Sequence, residues 1–176
     1  MFAITIRASG TARSFWRLVD RVSAFEQESS FRNLNYAPHL TLARYEDIDP
    51  TLLVAGLEVF KGARPITLVF DRVCVFDAEP LVLWLKPRVD SELLDIQAQL
   101  HALIGEQCSD PHYRPAVWCP HCTIASSVLS KHRSAAKAFS DEPIESFVMT
   151  FDVADALRWP PVTQIDSQRL LSRTVD

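Results

Sequence analysis

Hydrophobic positions along the chain alternate between the two-residue period of strands and the three-to-four-residue period of helices. The predicted strands are 2–7, 39–45, 66–76, 81–85, 121–126, 147–153 and 162–165, and the predicted helices are 14–28, 49–60, 91–107 and 131–139. The first half therefore predicts the order β-α-β-α-β. The second half begins the same order again.

The two halves also share a short motif. Pro38 to Ala43 read Pro-His-Leu-Thr-Leu-Ala, and Pro120 to Ala125 read Pro-His-Cys-Thr-Ile-Ala, with four identities in six positions. Each copy follows a strand and a helix at a similar distance, which is typical of a duplicated unit. We therefore predict one domain over 1–176 with two related lobes, roughly 1–80 and 81–176, and C-terminal strands that can cross between them.

Strand geometry gives each motif a polar face. Residues two apart on a strand point to the same side, so His39 and Thr41 project together, as do His121 and Thr123. One such strand would most simply carry a solvated histidine. Two matched copies around a pseudo-twofold axis would instead present two imidazoles and two hydroxyls to one bound group, and imidazole can act as acid or base near pH 7.

The paired His-x-Thr motifs, each preceded by proline and a strand-helix unit, resemble those of the two-histidine (2H) phosphoesterase superfamily, in its 2′-5′ RNA ligase-like branch. The resemblance implies an α+β, bilobal, pseudo-twofold fold with antiparallel sheets lining a central groove and helices outside. It also implies a phosphodiesterase that opens 2′,3′-cyclic phosphates of RNA ends or small nucleotides. Some members join RNA ends through 2′-5′ bonds, the same chemistry reversed.

By this resemblance, His39, Thr41, His121 and Thr123 are the expected catalytic residues, and which histidine acts as base stays open. Arg44 follows Thr41 by three residues and is a candidate phosphate ligand. An ideal strand would place it on the Leu42 face, so it must reach the polar face at the strand end or after a bulge. The equivalent residue of the second motif is Ser126.

Three aromatic residues flank the motifs and are candidates for stacking on a nucleobase. They are Tyr36, Tyr45 and Trp118. Packing of aromatic rings at strand ends is an equally good explanation for each of them.

The amino-acid composition limits the classes of ligand that the chain is expected to bind. The chain has 18 Lys and Arg against 22 Asp and Glu, a net charge of −4, which argues against a long nucleic acid such as DNA and favours a nucleotide or an RNA terminus. Its four glycines lack the spacing of a phosphate-binding loop. No membrane-length apolar run or leader segment is evident, so we expect a cytoplasmic protein, and we expect a monomer.

Two interpretations from other functional classes compete with a phosphodiesterase. Cys119-Pro-His-Cys122 has the form of a thiol-disulfide oxidoreductase motif, but a strand is predicted after it, where such motifs open a helix. Cys74 and Cys108 form no second Cys-x-x-Cys pair, so no metal site or cofactor is predicted. A module that binds nucleotides or RNA ends without turnover remains the alternative to an enzyme.

Overall fold

The computed structural model describes residues 1–88 and 91–171 of the chain. Eight strands are present in this part: β1 Phe2–Arg7, β2 His39–Tyr45, β3 Ile66–Phe76, β4 Leu81–Pro87, β5 Cys122–Val128, β6 Phe147–Phe151, β7 Val153–Arg158 and β8 Thr163–Arg169. Five α-helices accompany them: α1 Arg13–Val22, α2 Ser30–Asn33, α3 Pro50–Ala55, α4 Ser91–Ile104 and α5 Arg133–Asp141. No helix in the described ranges is both long enough and apolar enough to span a bilayer.

The strands form two four-stranded sheets. The first sheet has the order β2-β1-β7-β8, the second has the order β5-β4-β3-β6, and every pairing is antiparallel. The α+β class with antiparallel sheets is thus confirmed. Each motif strand, β2 or β5, lies at an edge of its sheet, and the two edges contact each other.

The sheets exchange strands across the boundary near residue 80. β3 precedes that boundary but pairs with β4 in the second sheet, because residues 77–80 form a tight connection between the two strands. β7 and β8 return to the first sheet, where β7 pairs with β1. The strand predicted over 147–153 ends at Phe151, and β7, which was not predicted, follows Asp152 and lies in the other sheet.

Several predicted elements end earlier or later than their patterns suggest. The first helix stops at Val22, and a 3-10 turn covers Ser23–Phe25. The helix predicted over 91–107 ends at Ile104, and its Leu103 is 52% exposed. α2 was not predicted, since four residues are too few for a helical period to show.

Helices from each half cover the motif strand of the other half. α4 packs against β2, whereas α1 and α2 pack against β5. The buried core is continuous between the two halves. The two motif strands are therefore held by one shared core, which fixes their mutual position.

Gly56, at the end of α3, allows α4 to approach the first sheet. A Cβ atom at this position would lie 2.5 Å from Cδ1 of Ile104 and 2.7 Å from Cδ1 of Ile4, and Ile4 is fully buried. We expect Gly56→Ala to lower the free energy of unfolding by about 1–3 kcal/mol, because buried neighbours must repack around the added methyl group. Urea denaturation measures this.

Gly10→Ala is the matched control, since no heavy atom lies within 4 Å of its added Cβ. Equal stability of the Gly56→Ala variant and the unmodified protein would contradict the close approach described here.

Candidate functional site

A β-bulge in β2 decides which side chains share the face of His39 and Thr41. Ile4 pairs with Ala43 and Thr5 pairs with Thr41, so Leu42 is an extra residue in the ladder. Arg44 pairs with Ala3, which lies on the same face of β1 as Thr5. The bulge therefore brings Arg44 to the face of His39 and Thr41, which we call the motif face.

The same bulge occurs at the same place in β5. Leu83 pairs with Ala125 and Trp84 pairs with Thr123, so Ile124 is the extra residue. Ser126 accordingly takes the position of Arg44. The sequence repeat thus extends to a shared backbone irregularity, which an ideal strand pattern does not reveal.

Side chains from the opposite half bind the carbonyl groups of the first bulge. The Leu42 carbonyl accepts hydrogen bonds from Nε2 of Gln97 and from Nε2 of His101, each at 3.2 Å. Burial lowers the pKa of His101, which keeps this ring neutral and suited to donate to a carbonyl. The indole Nε1 of Trp118 donates to the Thr41 carbonyl at 3.1 Å.

Glu26 binds β5 just beyond its bulge, where the ladder shifts register again between Leu81 and Leu83. Its Oε1 accepts from the backbone N–H groups of Ser126 at 3.1 Å and Ser127 at 2.8 Å. The same carboxylate accepts from the N–H of Ser30 at the start of α2. One buried carboxylate thus joins a helix of the first half to the motif strand of the second half.

The two motif histidines make matching hydrogen bonds. Nδ1 of His39 lies 2.9 Å from the Ala37 carbonyl, and Nδ1 of His121 lies 2.8 Å from the Cys119 carbonyl. A carbonyl can only accept, so each Nδ1 carries the hydrogen. Each Nε2 is left as the basic nitrogen, and one proline separates each histidine from its acceptor.

Burial depresses the basicity of both rings. It lowers the pKa of His39 to about 4, and the nearby His121 acts in the same direction, whereas Ala37 and Asp155 oppose the change. Burial also lowers the pKa of His121, with a further contribution from Arg44. Both imidazoles are therefore neutral at pH 7 in the free protein, and they lie close enough to influence each other's protonation.

Different aromatic side chains surround the two histidines. The ring centroid of His39 is 4.9 Å from that of Tyr36 and 5.8 Å from that of Phe31. The ring centroid of His121 is 5.0 Å from that of Phe76 and 5.9 Å from that of Trp84. Aromatic rings thus account for the desolvation of both imidazoles.

The four residues predicted from sequence to bind substrate differ in their exposure and contacts. Arg44 reaches the motif face, where it pairs with Asp110 and lies 5.4 Å from the centroid of the Tyr113 ring. Tyr36 is half-buried beside His39. Tyr45 has no exposed surface, so the stacking role expected for it has no surface to act through, and Trp118 is 8% exposed and braces β2.

Polar residues of β1 and β7 also lie on the motif face, and the motifs gave no sign of them. Thr5 pairs with Thr41 on one side and Asp155 on the other, while Arg7 pairs with His39. Asp155 is fully buried and accepts hydrogen bonds from Arg7 and from the Tyr36 hydroxyl. An aspartate inside the apolar run Val153-Ala-Asp-Ala-Leu was the available signal.

The Cys-Pro-His-Cys segment lacks the arrangement of a redox motif. Cys122 begins strand β5 and is fully buried, and burial raises the pKa of its thiol to about 12. Cys119 is exposed and neither thiol is in a disulfide. Within the ranges 1–88 and 91–171, no group of three or more His, Cys, Asp or Glu side chains is arranged to hold a metal ion.

The sequence matches the family model of the 2′-5′ RNA ligase superfamily over residues 14–159, which include both motifs. The chain belongs to this superfamily. The crystal structure of E. coli LigT complexed with 3′-AMP shares the superfamily fold seen here, with a TM-score of 0.62 at 14% identity over 97% of each chain. The crystal structure of a phosphoesterase matches with a TM-score of 0.58 at 13% identity, covering 97% of this chain and 98% of the other. No curated protein matches the sequence.

The low pKa of His39 makes stability depend on pH in a defined direction. The unfolded chain protonates this ring near pH 6.5, whereas the folded chain keeps it neutral down to about pH 4. Its contribution to stability is complete above pH 6.5 and is lost as the pH falls toward 4. Between pH 7.5 and 4.5 we expect His39→Gln to lose about 2–3 kcal/mol less unfolding free energy than the unmodified protein.

Urea denaturation at the two pH values measures this difference. His112→Gln is the control, because the side chain of His112 is 90% exposed. An equal loss of stability in the His39→Gln variant and the unmodified protein would show that His39 is not held neutral by the fold.

Proposed function

We propose that the chain is a metal-independent phosphodiesterase that opens 2′,3′-cyclic phosphates of RNA ends or small nucleotides. The observation that carries this proposal is the matched pair of histidines, each with Nδ1 fixed on a carbonyl two residues earlier and Nε2 left basic. Superfamily membership supports phosphoesterase or ligase chemistry. The 3′-AMP bound to the structurally similar LigT supports a nucleotide as the ligand.

The proposed reaction uses the two imidazoles in opposite protonation states. One neutral Nε2 accepts a proton from water while the water oxygen bonds to phosphorus. The bond from phosphorus to one ring oxygen of the cyclic phosphate breaks, and that oxygen takes a proton from the other imidazole. The second imidazole must therefore be protonated before the step begins. The same steps, with the 5′-hydroxyl of another RNA end in place of water and the 3′ oxygen as the leaving group, would form a 2′-5′ bond, and their reverse would cleave it.

Substrate binding favours uptake from solvent of the proton that the free site lacks. Both histidines are neutral near pH 7, but an anionic phosphate placed between them favours the charged form of an imidazole. The proton therefore enters with, or after, the phosphate. Such coupling belongs to the pair, so we assign neither role to one histidine.

Hydroxyl and guanidinium groups on the motif face would bind the non-bridging oxygens. Thr41 and Thr123 are partly exposed and share their faces with the two histidines. Arg44 brings a cation whose position is set by Asp110. These donors would hold the phosphorus in line with the attacking water and stabilise charge in the transition state.

Tyr113 is a better candidate than Tyr45 for contact with the nucleoside. It lies 6.3 Å, centroid to centroid, from His121 and beneath the guanidinium of Arg44. Its ring is partly exposed. An RNA terminus or nucleotide as partner, a monomeric state and a cytoplasmic location remain our predictions.

Substitution of either histidine tests the mechanism. We expect His39→Ala and His121→Ala each to reduce turnover of 2′,3′-cyclic nucleotides by about 10²–10⁴-fold, because each removes one proton-transfer group from the same step. The assay contains EDTA and a panel of four cyclic nucleotides and a short RNA with a cyclic phosphate end. His132→Ala, a histidine beside Phe25 and outside the motifs, is the matched control.

Loss of activity in only one variant would contradict paired acid-base catalysis. Binding of 3′-AMP by a folded protein that turns over no member of the panel would favour the non-catalytic binding module.

The pH profile provides an independent check. Because the pKa of both histidines is lowered by burial, the singly protonated form of the free enzyme exists mainly below pH 6.5. We expect kcat/KM to be bell-shaped with its maximum below pH 6.5, and to fall as the pH rises through 7 to 8. A maximum above pH 7.5 would contradict the proposed protonation states.

A further inference from the structure

The face that carries His39 continues onto two neighbouring strands. Arg7 pairs with His39, and Thr5 pairs with both Thr41 and Asp155. Side chains of directly paired residues in antiparallel strands lie on the same face of the sheet. Arg7 and Asp155 are two residues and one strand apart on that face. Arg7 adjoins His39, and Thr5 separates Asp155 from Thr41.

A buried carboxylate fixes the position of Arg7. Nε of Arg7 donates to Oδ2 of Asp155, and the Tyr36 hydroxyl donates to the same oxygen. The Tyr36 hydroxyl in turn lies 2.8 Å from Oγ1 of Thr5. Asp155 is fully buried, so this network is rigid compared with a surface ion pair.

The fixed arginine keeps most of its donors free. A guanidinium has five N–H groups, of which the Nε–H is used by Asp155. No hydrogen bond within the described ranges engages the Nη groups of Arg7, and its side chain is 22% exposed. The four Nη–H donors thus have no hydrogen-bond partner in the described residues, and they have the planar arrangement that suits phosphate oxygens.

We infer that Arg7 is a further substrate-binding residue, whose Nη groups contact non-bridging phosphate oxygens, and that Asp155 is the positioning residue that aims it. The inference rests on the proposed function and narrows its substrate class. Arg7 and Arg44 are each paired with an aspartate, and both histidines are neutral near pH 7. The site therefore offers many donors with little net charge, which suits one singly charged phosphodiester better than a polyphosphate.

The described part of the second sheet has no carboxylate at the place of Asp155. Trp84 pairs with Thr123 where Thr5 pairs with Thr41, and Cys74 pairs with Trp84 where Asp155 pairs with Thr5. Lys86, two residues after Trp84, takes the place of Arg7 but is exposed, so an arginine held by a buried aspartate is found on the His39 side. A single phosphate would be bound asymmetrically between the two motifs.

Substitution of Arg7 tests the inference. We expect Arg7→Gln to weaken binding of 3′-AMP by about tenfold or more, because charge-assisted hydrogen bonds to the phosphate are lost. KM for a 2′,3′-cyclic nucleotide should rise similarly, with kcat changed by less than about threefold. Arg13→Gln, an exposed arginine at the start of α1, is the matched control.

A double-mutant cycle tests the role of Asp155. Asp155→Asn should weaken 3′-AMP binding in the unmodified background but have no further effect in the Arg7→Gln background, since it acts through Arg7. Asp152→Asn, which changes a carboxylate bound to Ser9, is the control. Equal, additive losses in both backgrounds would overturn the positioning role. If Arg7→Gln does not fold, Arg7→Lys decides, because it keeps the charge and loses the fork.

The outcomes separate this inference from the proposed function. Normal turnover with unchanged KM and 3′-AMP affinity in the folded Arg7 variant overturns the inference and leaves the proposed function standing. Absence of turnover, together with 3′-AMP binding that Arg7→Gln weakens, overturns the proposed function and supports Arg7 as a phosphate ligand. Absence of both turnover and 3′-AMP binding in the unmodified, folded protein overturns both.

Discussion

Backbone polar groups left without ladder partners at the irregularities of β2 and β5 determine the geometry of the site. A buried carbonyl or N–H group without a partner is costly, so each irregularity can persist only where a side chain pairs with that group. Gln97 and His101, on α4 in the second half, donate to the Leu42 carbonyl, whereas Glu26 of the first half accepts from the N–H groups of Ser126 and Ser127. Each motif strand therefore adopts its observed shape only when the two halves are packed together.

The bulge in β2 also determines which face of the strand Arg44 occupies. In a strand without this bulge, Arg44 would lie on the same face as Leu40 and Leu42, which is buried. With the bulge, Arg44 lies beside Thr41, and Tyr45 takes the buried position. One inserted residue thus decides whether this cation lies on the motif face or on the buried face of β2.

The sequence repeat and the fold's repeat diverge away from the motifs. Histidine, threonine and bulge are alike in both halves, but the residues next to them are polar in the first sheet and aromatic in the second. Strand alternation predicted β2 and β3 with correct ends and placed the motif side chains on one face. It could not show the bulge, the strand exchange at Asp152 or the burial of Tyr45, because these depend on pairing between segments distant in sequence.

The same reason hides Asp155 from the sequence. A carboxylate in an apolar strand stands out, but its partners Arg7 and Tyr36 are 148 and 119 residues away. Only the antiparallel pairing of β1 with β7 brings it onto the face of the sheet that carries His39. Its negative charge opposes the loss of basicity that burial imposes on that ring. In the free protein, the effect of desolvation on the pKa of His39 is larger than the opposing effect of Asp155, so the ring is neutral. A phosphate anion bound beside it would raise this pKa and favour the protonated form.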